Sequence, residues 1–163
     1  MNKKVHFSSA RTGENKKDKW QTPPDVFKQL DKEFNFTLDA AAEENTALCD
    51  KFFTEEDDAL TQDWSGETVF CNPPYSKLKA FAEKARRESD NGTQVVMLVP
   101  ARTDTKAFHE NLASGEIRFI KGRLKFRQNG KAQDPAPFPS MVCIMGPDVN
   151  PNMTTVTKDN LQS

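Results

Sequence analysis

No apolar run in this chain is long enough to cross a bilayer, and none follows the basic N-terminus that would serve as a secretion signal. Cysteine and histidine are scarce. Cys49, Cys71 and Cys143 are odd in number, scattered and without metal-ligand spacing, and only His6 and His109 accompany them. That pattern argues against a disulfide framework and a zinc site, and for a reduced, cytoplasmic protein without metal. An excess of positive charge is also missing: 23 Lys and Arg face 24 Asp and Glu, for a net charge of −1. A generally basic nucleic-acid coat is excluded; a local basic face is not, because only the contacted phosphates need neutralising.

The 163 residues suffice for one domain with a single core. Residues 1–19 are polar and basic and read as a flexible leader that would order on DNA if it orders at all. Residues 20–146 read as the folded domain, and 147–163 as a loose polar tail. Thr22 has the chemistry of an N-cap with Pro23 at the first helical position, and Val26, Phe27, Leu30 and Phe34 recur at helical spacing. Short strands are expected at Phe36–Ala40, Val69–Cys71 and Thr93–Val99. Between the last two, a helix capped by Ser76 turns Leu78, Phe81, Ala82 and Ala85 inward and ends near Asn91-Gly92. A further helix carries Phe108 and Leu112, and strands follow near Ile117–Ile120, Leu124–Arg127 and Met141–Met145. Helices alternating with apolar strands, then a strand-rich end, predict an α/β fold with a mostly parallel sheet and antiparallel C-terminal strands.

Asn72-Pro73-Pro74-Tyr75 closes the apolar run Val69-Phe70-Cys71. Neither proline can donate to a ladder, so the backbone leaves the sheet extended, with carbonyls lacking local donors. Asn72 Oδ1 and the Pro73 carbonyl are then two acceptors for one NH2 group, beside an aromatic ring, Tyr75, able to stack on a flat ligand. The arrangement suits the exocyclic amine of a nucleobase.

This motif resembles the catalytic motif of the amino-methyltransferases, which methylate adenine N6, cytosine N4 or a glutamine amide. Several further blocks resemble the phage-type (Dam-like) DNA N6-adenine methyltransferases: Trp20-Gln21-Thr22-Pro23-Pro24, Phe36 to Ala42, Asp58-Ala59-Leu60, Asp63-Trp64, Val99 to Thr105 and Gly122 to Phe126. The likeness runs from about Trp20 to about Gly146. It implies a Rossmann-like class I methyltransferase fold with helices on both faces of the sheet, and S-adenosylmethionine as cofactor. It also implies double-stranded DNA as partner, base flipping and a phage-encoded protection against restriction; the oligomeric state stays open, with a monomer favoured. Asn72, Pro73 and Tyr75 would be catalytic. Asp39-Ala40-Ala41 and Thr22-Pro23 would meet the methionine end of the cofactor together with Asn72, and Asp58, or its neighbour Asp57, would accept from the cofactor's adenine amine. The acid for the ribose stays open among Glu43, Glu44 and Asp50. Alanines 40–42 stand where the family of methyltransferases at large has glycines, and alanine does not allow positive φ cheaply. On the substrate side, Arg102, Arg123 and Lys125 would contact DNA, with Phe126, or alternatively Phe138, packing against the flipped base. The rival readings are a glutamine-amide protein methyltransferase and an inactive, methyltransferase-like DNA-binding module.

Overall fold

The computed structural model describes residues 20–129 and 131–162, so the expected leader at 1–19 lies outside the described residues. Among the described residues, two α-helices, α1 (Pro24–Phe34) and α2 (Leu78–Asp90), and the short π-helical segment Phe108–Leu112 flank a seven-stranded sheet. The strands in chain order are β1 (Leu38–Asp39), β2 (Lys51–Phe52), β3 (Thr68–Cys71), β4 (Gln94–Pro100), β5 (Glu116–Lys121), β6 (Arg127–Gln128), β7 (Lys131–Ala132), β8 (Ser140–Met145) and β9 (Asn152–Thr157). The main sheet runs β2-β1-β3-β4-β8-β5-β9, and β6 and β7 form a separate small ribbon. Only β8 opposes the others; β5 and β9 are parallel to each other and share the direction of β1 to β4. The expected Rossmann-like α/β fold is thus present, with one antiparallel strand in place of an antiparallel finish.

Alternation along the strands divides the core. Val95, Met97 and Val99 face α2, where Phe81, Ala82 and Ala85 meet them. Val96 and Leu98, with Phe70, face α1 and pack on Val26, Phe27 and Leu30. Helices therefore cover both faces, as a mostly parallel sheet buried on both sides requires.

Four local expectations need correction. Ser76 is not the cap of α2: it lies within the 3-10 turn Tyr75–Lys77, and Lys77 holds the N-cap position without a side-chain cap. Thr22 is not the N-cap: Pro23 holds that position and Pro24 opens α1, with no side-chain cap. Leu124 to Phe126 alternate buried and exposed as a strand would, yet they join no ladder, and pairing is confined to Arg127–Gln128. The segment after Pro147 is not a loose tail. It supplies β9, which pairs along its whole length with β5, and the turn that follows buries Leu161 in the same core cluster as Leu124 and Phe126.

The chain passes from β1 outward to β2, then returns to the other side of β1 with β3. The order reverses between β1 and β3, and in open α/β sheets ligands bind outside the carboxyl ends of the strands at such a reversal. Asp39 ends β1, and Asn72 follows β3.

Candidate active site

Asn72 has the same side-chain parity as Phe70, so it projects onto the α1 face, where residues 20–22 cross the strand ends. Its Nδ2 donates to the Trp20 carbonyl and, at 3.0 Å, to Thr22 Oγ1. A carbonyl can only accept, so the amide must present nitrogen to Trp20 and oxygen the other way. That oxygen, Oδ1, is buried and has no partner. A buried acceptor left unpaired costs free energy, on the order of 1–3 kcal/mol, unless something else satisfies it. The Pro73 carbonyl also accepts no hydrogen bond among the described residues, whereas the Pro74 carbonyl is taken by Lys77 N at 2.9 Å. Two unspent acceptors thus belong to adjacent residues just after β3.

Tyr75 opens a short 3-10 turn that leads into α2. Its ring meets Phe138 edge-on, with centroids 5.4 Å apart, and its hydroxyl is a second buried atom without a partner. Burial raises the phenol pKa against the opposing pull of Arg102, so the group stays neutral. Trp20 packs edge-on to Phe138 at 5.3 Å and to Phe126 at 6.0 Å. Of the two aromatics offered by the sequence, Phe126 is 0% exposed within the core cluster, while Phe138 touches Tyr75.

On the β1 side, Asp39 is 3% exposed and accepts from Leu48 N at 3.1 Å and Ala41 N at 3.4 Å. Burial raises its pKa to about 6, because these two bonds only partly offset desolvation. Ala40 is buried, its amide held by the Phe70 carbonyl, and Ala42 N bonds the Phe53 carbonyl. None of residues 40–42 has positive φ, so alanine costs nothing where other methyltransferases carry glycine. Asp58 caps the turn Ala59–Thr61 through Leu60 N and is exposed, with its second oxygen uncommitted; Asp57 is occupied by Thr54 N and Oγ1. Trp64 is structural, donating from Nε1 to the Ala59 carbonyl beneath that turn. Gln21 Nε2 donates to Glu43 Oε1 at 2.8 Å, tying the segment that holds Asn72 to the loop after β1.

Of the expected DNA contacts, Arg102 lies exposed just beyond β4, and Lys125 is exposed. Arg123 spends Nη1 on the Ala136 carbonyl at 3.2 Å, so it braces the loop that carries Phe138. The sequence reading missed the Trp20 carbonyl and the Gln21–Glu43 bond. A backbone acceptor carries no side-chain signature, and the partners are far apart in the chain.

The family model described as "DNA N-6-adenine-methyltransferase (Dam)" matches residues 9–163. The chain belongs to that family. The DNA N-6-adenine-methyltransferase of Escherichia phage T1 is 31% identical over 159 residues, covering 85% of this chain and 67% of that protein. The enzyme of the same description from Haemophilus phage HP1 is 33% identical over 148 residues, 86% of each chain. A putative methyltransferase of Escherichia coli (strain K12) is 37% identical over 65 residues, covering 36% of this chain and 71% of its own. A predicted O-methyltransferase from Agrobacterium tumefaciens overlays 56% of this chain and 39% of its own at 18% identity, with a TM-score of 0.30, too slight a likeness to argue from. As a Dam-family member the protein is an adenine-specific DNA methyltransferase, using a methyl-donor cofactor and acting on DNA. The glutamine-amide alternative falls with that membership.

Proposed function

We propose that this Dam-family enzyme transfers the methyl group of S-adenosylmethionine to the N6 of an adenine flipped out of double-stranded DNA, with Asn72 and Pro73 as the catalytic acceptors. The observation that carries this reading is the buried, unpartnered Asn72 Oδ1, held in one orientation by Trp20 and Thr22. Adenine N6 is a weak nucleophile because its lone pair is delocalised into the ring. Hydrogen bonds from N6 to Asn72 Oδ1 and to the Pro73 carbonyl localise that pair and stabilise the positive charge that grows on nitrogen, which is catalysis by preorganised dipoles. No base is required at the transfer step; the proton leaves afterwards to water. Tyr75, uncharged, stacks on the base, with Phe138 edge-on behind it. Both polar atoms lack exposed surface in the free protein, so the base enters by parting the Trp20–Phe138–Tyr75 rings, and extrusion from the duplex costs a few kcal/mol more.

The residues of the β1 side fit the cofactor. S-adenosylmethionine is cationic at its sulfonium and amine, and supplies an electrophilic methyl when bound. Asp39, buried and short of hydrogen-bond donors, is suited to an ammonium partner, which would draw its pKa back down. Thr22, with Pro23 beside it, has its hydroxyl proton left to donate after accepting from Asn72. Ala41 lines the same turn, Ala40 supports it from the core, and Asp58, with Asp57 as the alternative, offers a carboxylate to an adenine amine. On the DNA side we assign Arg102 and Lys125 to phosphate contacts. A monomer working in the cytoplasm of a phage host, shielding DNA from restriction, is the biological setting this reading favours.

The test is incubation with labelled S-adenosylmethionine and unmethylated DNA, followed by nucleoside analysis. Label should appear in N6-methyladenosine and should be lost in Asn72→Ala while cofactor binding persists. Near-wild-type turnover in that variant would sink the assignment, and cofactor binding without any turnover in the wild type would mark an inactive module.

A further inference from the structure

We propose that the recess between the segment Lys121–Lys131 and the last turn of the chain is a second DNA contact, a seat for backbone phosphates beside the base pocket. This rests on the reading of the protein as a DNA methyltransferase. The recess holds about 430 Å³ and is walled by Lys125, Arg127, Lys158 and Gln162, with Asp25 its one acid. Its walls come from three distant parts of the chain: the start of α1, the segment after β5 and the turn after β9.

The placement is built rather than incidental. Gln162 clamps both sides of the Lys125 backbone, accepting from its N–H at 2.9 Å and donating to its carbonyl at 3.0 Å. The Lys158 stem lies against Gly122, whose φ of +98° turns the chain and where a Cβ would come within 3.1 Å of Lys158 Cβ. Arg127 exchanges both backbone hydrogen bonds with Gln21, the residue between the two that grip Asn72. Recess and catalytic amide are thus attached to one segment.

Charge supports the assignment. Residues 121–131 carry Lys121, Arg123, Lys125, Arg127 and Lys131 with no acid, and the alternation sends Leu124 and Phe126 into the core while Arg123 and Lys125 face solvent. Several cations elsewhere are paired: Lys51 with Glu67, Lys84 with Glu88, Arg86 with Asp90, and Arg118 with Glu33 and Glu116. Among the described residues neither Lys125 nor Lys158 makes an ion pair, although both converge on one hollow. The carboxyl edge divides by sign. Seven acids between Glu43 and Asp58 stand against one lysine on the β1–β2 side, where a cationic cofactor suits them, and the cations gather on the β5–β9 side. The occupant is a polyanion and not a small anion, because Gln162 has spent its amide on Lys125. What remains is exposed point charge, and each such contact is worth little alone but adds along a backbone.

The experiment is equilibrium binding of the full chain to a short duplex over a salt series, comparing wild type, K125A/K158A and a control, Lys32→Ala, on the far end of α1. The double variant should bind roughly tenfold more weakly at moderate salt and lower the slope of log K against log salt by about 2, one unit per lost contact. The control should match wild type, and retained S-adenosylmethionine binding shows that the variant is folded. A double variant with wild-type affinity and slope overturns the proposal. So does inorganic phosphate raising the wild-type melting temperature, but not the variant's, while duplex binding is unchanged. The readout is binding, so absence of methylation in the wild type would count against the enzymatic reading without altering what the slope says.

Discussion

The Asn72 carboxamide is gripped by its nitrogen and open at its oxygen, and the grip depends on a hydroxyl fifty positions away in sequence. Thr22→Val removes that acceptor, leaves one Nδ2 proton unsatisfied and frees the amide to rotate. Turnover should drop about tenfold or more, equivalent to ~1.4 kcal/mol at the transition state, and Thr22→Ser should restore it. Single-turnover rates alongside cofactor titration separate two roles: a change in rate with cofactor affinity kept marks Thr22 as positioning Asn72, whereas a change in affinity alone marks it as a cofactor contact only. Asp39 carries a second residue-scale prediction. Its pKa is raised from 3.8 to about 6, so the ionised form is disfavoured by folding. The cost is absent below the unfolded value and complete above about pH 6, where it reaches roughly 3 kcal/mol; stability therefore falls as pH rises through that window. Asp39→Asn should abolish the fall in melting temperature between about pH 4 and pH 6 and weaken S-adenosylmethionine binding more than about tenfold, since a neutral amide does not titrate there and cannot pair with an ammonium. Melting curves with and without cofactor test both halves, and a variant that binds cofactor as well as wild type would remove Asp39 from the site.

At the level of elements, the informative case is the chain after Pro147. Asn152–Thr157 is polar and exposed at nearly every position, so it offers no buried face for pattern reading to find. It is a strand because β5 presents an open edge with six register partners, a non-local reason. The turn that follows buries Leu161 in the core cluster that holds Leu124 and Phe126 and brings Gln162 to Lys125. Leu161→Ala should lower unfolding free energy by about 2 kcal/mol in urea titration, the low end for a buried leucine at a yielding surface site, and should speed hydrogen exchange at the Lys125 amide. Unchanged exchange would mean that the hook does not hold that segment. The N-terminal boundary of α1 shows a different limit. Pro23 and Pro24 both satisfy the preference for proline at a helix start, and local chemistry cannot choose between them. The choice is made by Thr22 bonding Asn72 instead of capping the helix.

Over the whole molecule, the sheet order turns a set of local motifs into one site. Asp39 and Asn72 are brought together because the topology reverses between β1 and β3, and the acids of one half and the cations of the other fall on the same edge because β1 to β5 and β9 run the same way. Much of this was legible. Five of the seven strands of the main sheet, the inner faces of α1 and α2, the carboxamide and its two prolines follow from periodicity and from what proline cannot do. By itself, the sequence determined the chemistry on offer: an amide, a carbonyl and a ring at the end of a parallel strand. Only the tertiary structure decided that the amide spends its nitrogen and leaves its oxygen buried without a partner, that Phe138 meets Tyr75, and that residues 152–162 form part of the fold. Each of those outcomes depends on which groups from distant segments meet, and hydrogen bonds spanning 50 and 52 residues leave no periodicity to read.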